Sequence, residues 1–301
     1  MEFVDKNIYR DRAHQLLKNF LDRCLTKTPY PADLYDELRE DVEPDIVLNP
    51  NQKTTYKLLL KWILNESHIE GDGLHDGEGY CCYCMRKIKA NEIHSTLEHV
   101  IPKTIEDLPS YMEYYKVPSS LERRDSIMVL KTIFFDKYHR RALPCPHNIA
   151  YENLVASCDG SLPKGTNNHI CCNNSRGNHY IPALMFIPEI HDEIKYKQNG
   201  FVIWKNNPNL EKRERCRIIN EELKLNNGIL RIVRMIWCYL SKEGIDCKLE
   251  EEDRRRVIDT LRPLCSSLDK VIIQNFLEND NYWDLLEEYR YFNDIAKFTE
   301  T

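Results

Sequence analysis

Seven of the chain's twelve cysteines fall between Tyr80 and Tyr180, five of them in two short runs, and this limits the fold more than any other feature. Cys81 and Cys84 form a C-x-x-C pair. Cys158 followed by Cys172 supplies two further thiols, so a four-cysteine site would tie together segments about ninety residues apart. Zinc suits such a set, because thiolates are soft ligands and the metal takes four of them tetrahedrally in structural sites. The alternative is a set of scattered buried thiols, since the second pair is not a compact knuckle. A redox pair of the thioredoxin kind lacks its preceding βαβ pattern.

Disulfides are the weaker reading of these cysteines. The N-terminal MEFVDKNIYRDR is charged from its second residue and has no apolar h-region, so it does not read as a secretory signal, and a cytoplasmic, reducing location is expected. No run of about eighteen apolar residues exists to span a membrane. At 301 residues, with 30% charged and 42% hydrophobic residues, the chain is long enough to bury a core and too apolar to be disordered throughout. The net charge of -6 excludes an overall basic protein, but residues 81–180 carry 13 Lys and Arg against 10 Asp and Glu. Any phosphate-binding surface is therefore local, and this is the segment that favours it.

Three regions follow from the patterning. Residues 1–75 form an N-terminal segment read as helical, with Leu16, Leu17, Phe20, Leu21 and Cys24 and then Tyr56, Leu59, Leu60 and Ile63 at helical spacings. IEGDGLHDGEGY, residues 69–80, reads as a linker; it lacks the alternating oxygen ligands of a calcium loop. Residues 76–185 hold the cysteine runs, with a long insertion at about 104–147. Residues 186–301 contain an FVIW run that suits a strand and then three helical stretches, the first closed by Gly244. The amphipathic flanks suit a self-contained core equally with docking against a partner or a second copy in a homo-oligomer.

Between the cysteine pairs lie STLEHVIPK (95–103) and AYENLVASC (150–158), and after them CNNSRGN (172–178). In this order, C-x-x-C, E-H-V-I-P-K, E-N-L-V-A-S-C and C-N-x-x-R-G-N resemble the HNH nucleases over residues 80–180, a third of the chain. The resemblance implies an α+β, predominantly helical chain in which a zinc-stapled ββα-metal core sits between N- and C-terminal helical segments. His99 falls on the family's general base, Glu98 on a ligand of the catalytic Mg²⁺ or Mn²⁺, and Asn153 on the residue bracing the histidine's loop. Asn173 falls on a second ligand of that ion, and Cys81, Cys84, Cys158 and Cys172 on the structural zinc ligands. Arg176 and Lys103 become candidates to hold phosphate oxygens. A neutral histidine near its ordinary pKa of about 6.5 can take a proton from water at physiological pH.

The departures from the family are specific. Thirteen residues separate Cys158 from Cys172 and must loop out; Cys171 and His169 stand beside the fourth ligand as competitors. The insertion interleaves Arg123, Arg124, Lys131, Lys137, Arg140 and Arg141 with aromatics, which suits either nucleic-acid tracking or an amphipathic helix pair. Cys216, Cys238, Cys247 and Cys265 read as free thiols, and His75, His94, His147, His179 and His191 as surface or satisfied polar residues. The whole layout is similar to the HNH component of Septu-type bacterial antiphage systems and related retron-associated nucleases, which implies DNA cleavage in defence alongside an ABC-type ATPase partner. This chain has no P-loop of its own. A non-catalytic zinc module that binds nucleic acid or protein, and an HNH nuclease acting on RNA or tRNA, stay open as alternatives.

Overall fold

The computed structural model describes residues 1, 4–6, 8–27, 33–42, 54–66, 78–90, 94–100, 148–162, 170–179, 181, 184–186, 190–204, 216–246, 248–294 and 298–299. Helix α1 (Arg10–Leu25) buries Ala13, Leu16, Leu17, Phe20, Leu21 and Cys24, the stripe that a 3.6-residue period places on one face. It packs on α3 (Tyr56–Glu66), with the Phe20 and Tyr56 rings 5.1 Å apart. Between them the short α2 (Leu34–Glu37) begins at Asp33, whose carboxylate accepts from the backbone of Tyr35 and Asp36. Lys27, just beyond α1, bonds both Glu37 and Glu40 and so ties α2 to the end of α1.

The cysteine-bearing region is built of two small antiparallel ladders. Strands β1 (Glu78–Tyr80) and β2 (Lys87–Lys89) pair Tyr80 with Lys87, so Cys81 to Arg86 form the turn between them. Glu78–Tyr80 is thus strand, where the sequence reads as linker. Strands β3 (Ser95–His99) and β4 (Leu154–Cys158) pair Ser95 with Cys158 and His99 with Leu154. Helix α4 (Cys172–Arg176) follows and lies against β4. The residues between Cys158 and Cys172 do loop out: a bridge pairs Ser161 with Ile170, and Gly160 makes the return close. Gly160 has φ +79°, and a Cβ there would sit 1.9 Å from the Cys171 carbonyl oxygen, so only glycine fits.

Beyond these, β5 (Ile194–Lys197) lies between β6 (Val202–Trp204), antiparallel, and β7 (Phe298–Thr299), parallel. Helix α5 (Ile190–Glu193) leads into β5. The centre of the C-terminal region is α6 (Gly228–Glu243), which begins at the Asn227 cap and stops at Gly244 in the left-handed conformation, as the sequence requires. Around it pack α7 (Glu251–Leu261), α8 (Ser267–Glu278), α9 (Asn281–Glu288) and α10 (Tyr291–Asp294). Trp237 of α6 donates its Nε1–H to the Leu286 carbonyl at 3.0 Å. Apolar residues from Met1 to Phe292 form one continuous core, so the amphipathic faces of α1, α3 and α6 are spent within the chain. Among the described residues no helix is long and apolar enough to cross a membrane.

One α3 residue is out of keeping with this packing. Lys61 is half-buried, and burial together with the neighbouring Lys57 pulls its ammonium down to about 8 from 10.5. A lysine depressed in the folded state costs stability wherever it is charged in both states, below about pH 8, and the cost fades as pH rises towards 10.5. Lys61→Met is therefore expected to stabilise the protein by about 1 kcal/mol near neutral pH, after discounting for partial exposure, with the gain shrinking in alkaline buffer. Thermal unfolding at several pH values reads this directly. A gain that grew with pH would contradict it.

Candidate metal centre and its surroundings

Four thiols converge where the two ladders meet α4. Cys81 and Cys84 come from the β1–β2 turn, Cys158 from the end of β4 and Cys172 from the first position of α4, and all four Sγ atoms lie within 4.8 Å of one another. All are buried. The Cys84 and Cys158 sulfurs are 3.7 Å apart, close to the about 3.8 Å that a tetrahedral shell with Zn–S bonds of about 2.3 Å sets between ligands. The donor set therefore fits a thiophilic metal ion, and these four cysteines could hold one. A hydrogen bond from Cys82 N–H to Ala156 O at 3.2 Å joins the turn to β4, and one from Cys81 N–H to Arg86 O at 2.8 Å closes the turn itself.

The local backbone is strained where the thiols are presented. Met85, next to Cys84, has φ +65° and Cys172 has φ +49°, both in the left-handed region that residues with a Cβ enter at a cost of about 1 kcal/mol or more each. Hydrogen bonds among the thiols separate their acidities. Burial opposes ionisation of Cys81, but bonds from Cys158 and Cys172 outweigh it and draw the Cys81 thiol down to about 5. Cys158, in contact with Cys171, is held well above the ordinary thiol range. Of the two adjacent candidates for the fourth ligand, Cys172 belongs to the convergent set, while Cys171 directs its sulfur to the Gly160 carbonyl at 3.7 Å. His169 lies outside the described residues.

His99 ends β3. Its Nε2 lies 2.7 Å from the Asn148 carbonyl oxygen. A carbonyl only accepts, so the neutral ring carries its hydrogen on Nε2 and its lone pair on Nδ1. The Tyr35 ring of α2 lies 4.7 Å from the imidazole. Asn153 sits in the turn before β4, where its carbonyl accepts from Val100 N–H at 2.9 Å and its own N–H donates to Ala150 O. The backbone of Asn153 thus pins the chain just after His99 to the segment that supplies Asn148.

Glu98 and Arg176 are placed differently from the roles the family resemblance implies. Successive strand residues point to opposite faces, and Glu98 is turned inward, 6% exposed, in an ion pair with Arg176. Arg176 is 1% exposed. Its guanidinium donates to the Glu98 carboxylate, Tyr83 Oη, and the carbonyls of His99, Val100 and His179. It is a buried clamp joining α4, the end of β3 and the cysteine turn, with no face left for a phosphate. Burial pushes the Glu98 carboxyl up to about 7 against the pull of Arg176. Asn173 shares this side of the hairpin, donating its Nδ2 to Thr96 Oγ1 at 3.2 Å.

A hard divalent ion takes one or two carboxylates plus water and phosphate oxygens. Here the Glu98 carboxylate is paired with Arg176, and among the described residues the four cysteines are the one group of three or more His, Cys, Asp or Glu side chains gathered closely enough to hold a metal. Lys103 and the insertion 104–147, with its basic and aromatic residues, lie outside the described residues, as do Cys247, His75 and His147. His94, His179 and His191 are exposed and engage Asp159, Glu222 and Asp192.

Two contributors carry no sequence signal. Tyr35 reaches His99 from a four-residue helix, and Lys6 lies buried beneath the turn of Asn153, donating to Tyr151 O and Leu154 O. The C-terminal region also reaches the thiols, through Tyr289 Oη at 3.4 Å from Cys84 Sγ. No family model matches the chain, and no curated protein or solved structure matches it either, so the work of the four thiols, His99 and the Glu98–Arg176 pair has to be argued from their geometry.

Proposed function

We propose that the chain is an HNH-type endonuclease that hydrolyses DNA phosphodiester bonds, with His99 as general base and zinc held by Cys81, Cys84, Cys158 and Cys172. The observation that carries this reading is the fixed tautomer of His99, whose Nε2–H is bonded to the Asn148 carbonyl at the end of a hairpin and helix joined by the four thiols. In this reading a water attacks phosphorus and passes its proton to His99 Nδ1 while a bridging P–O bond breaks, the leaving oxygen taking a proton from solvent and departing as a sugar hydroxyl. The Asn148 carbonyl steadies the positive charge that the ring then carries. Cys81, Cys84, Cys158 and Cys172 would hold the zinc, which would supply rigidity to this arrangement and no reacting atom.

The ordered motifs add a dependence on Mg²⁺ or Mn²⁺ and a role in antiphage defence beside an ABC-type ATPase; both belong to the same proposal. Asn173 is the donor left for such an ion once Glu98 is assigned to Arg176. That assignment also favours a second reading, a non-catalytic zinc module that binds nucleic acid, for which a buried Glu98–Arg176 pair is simply part of the scaffold. Incubation of the purified protein with supercoiled plasmid and with total RNA, each in Mg²⁺, Mn²⁺ or EDTA, separates them. Nicking of plasmid in Mg²⁺ or Mn²⁺ and not in EDTA is expected. Retention of DNA without nicking would favour the binding module, and cleavage of RNA alone would reassign the substrate.

A further inference from the structure

Tyr35 belongs to an element too short to hold itself, yet it is fixed from three directions. The Asp33 carboxylate accepts from Tyr35 N–H at 2.9 Å, Lys27 bonds Glu37 and Glu40, and Lys57 N–H of α3 donates to Leu38 O at 2.6 Å. Its ring meets the His99 imidazole at 4.7 Å and an angle of 55°. The hydroxyl donates to the Leu97 carbonyl at 3.1 Å, two residues before His99 in β3. Lys57 Nζ lies 4.5 Å from the ring centre, a cation against the aromatic face. The imidazole is therefore held at one edge by the Asn148 carbonyl and against its ring by Tyr35.

The imidazole can turn about its Cβ–Cγ bond, and a turn would take Nε2 off the Asn148 carbonyl and carry Nδ1 away from its working direction. We propose that Tyr35 is a positioning residue for His99, its ring keeping Nε2 on the Asn148 carbonyl and Nδ1 towards the attacking water. The inference rests on the reading of His99 as the base. It makes the N-terminal helical segment part of the site, because a shift of α2 or α3 moves the aromatic wall of the base.

The test uses the full chain labelled with ¹⁵N-histidine, with His99→Ala to assign the His99 signal, and plasmid cleavage kinetics in parallel. Tyr35→Phe keeps the ring and is expected to keep the Nε2–H tautomer and a kcat within about threefold of the parent, whereas Tyr35→Leu mixes the tautomers and lowers kcat about tenfold or more at unchanged KM. If Tyr35→Leu does not fold, Lys57→Met removes the cation from the ring with Tyr35 in place, and a smaller shift of the same signal is expected. An unchanged His99 signal in the folded variant overturns the proposal, whether or not the protein cuts DNA. Tyr35→Leu cutting normally while His99→Ala is inactive overturns the proposal alone. His99→Ala cutting as well as the parent overturns the reading of His99 as the base.

Discussion

On the proposed four-thiol site, Cys158→Ser is expected to abolish metal binding and to lower the unfolding temperature by about 10 °C or more. The four thiols join a turn, a strand end and a helix start that are far apart in sequence, and two residues presenting them hold left-handed backbone conformations. Without an ion, the four buried sulfurs rely on weak thiol contacts with one another and with neighbours such as the Tyr289 hydroxyl. A structural zinc site in an isolated finger contributes about 10–16 kcal/mol, but here the large apolar core keeps part of the fold, so a net loss of about 4 kcal/mol is the appropriate scale for a chain of this size. Metal quantification and thermal unfolding of Cys158→Ser beside Cys171→Ser check this together. Cys171→Ser is expected to keep one metal ion per chain, since Cys171 touches the cluster but is not among the four thiols whose sulfurs all lie within 4.8 Å of one another. Equal metal content in parent and Cys158→Ser would contradict the assignment.

Arg176→Met is expected to destabilise the protein by about 3–5 kcal/mol, the scale of breaking a buried pair, with Glu98, whose carboxyl burial already pushes up to about 7, taking up a proton once the guanidinium is gone. Its side chain serves five acceptors on three parts of the chain, and the loss would leave the Glu98 carboxylate and the carbonyls of His99 and Val100 without these bonds. Arg176→Lys recovers little, because an ammonium cannot span the planar fork of contacts. The experiment also separates the two roles open to this residue. A phosphate-gripping arginine would leave the fold intact and weaken DNA binding on mutation, whereas the clamp gives a large fall in unfolding temperature. A folded, fully stable Arg176→Met that binds DNA poorly would contradict the clamp.

Much of the scaffold is legible in the sequence because it is local. The C-x-x-C pair and the Gly244 stop each depend on a few consecutive residues, and the structure has Gly228–Glu243 where the pattern puts it. The pairing of Cys158 with Cys172 was also within reach, but the sequence does not reveal that Gly160 and the Ser161–Ile170 bridge make it geometrically feasible. The roles of Glu98 and Arg176 were not legible. Adjacent residues in a strand face opposite ways, and the sequence does not say that the inward one meets an arginine from α4. Tyr35 was invisible for a similar reason, since its meeting with His99 depends on how α2 packs on β3, and no spacing rule encodes that. Glu78–Tyr80 reads as linker because of its glycine and acid content, yet pairing with Lys87–Lys89 gives Glu78 two lysine partners across the ladder.

The most direct test of the account is cleavage of supercoiled plasmid in Mg²⁺ by the parent protein and by His99→Ala, at equal zinc content and equal unfolding temperature. With His99 as the base, nicking by the parent that EDTA abolishes is expected, and a loss of about a hundredfold or more in His99→Ala, the scale of removing a positioned general base. Undiminished cleavage by a folded, zinc-loaded His99→Ala protein would contradict it.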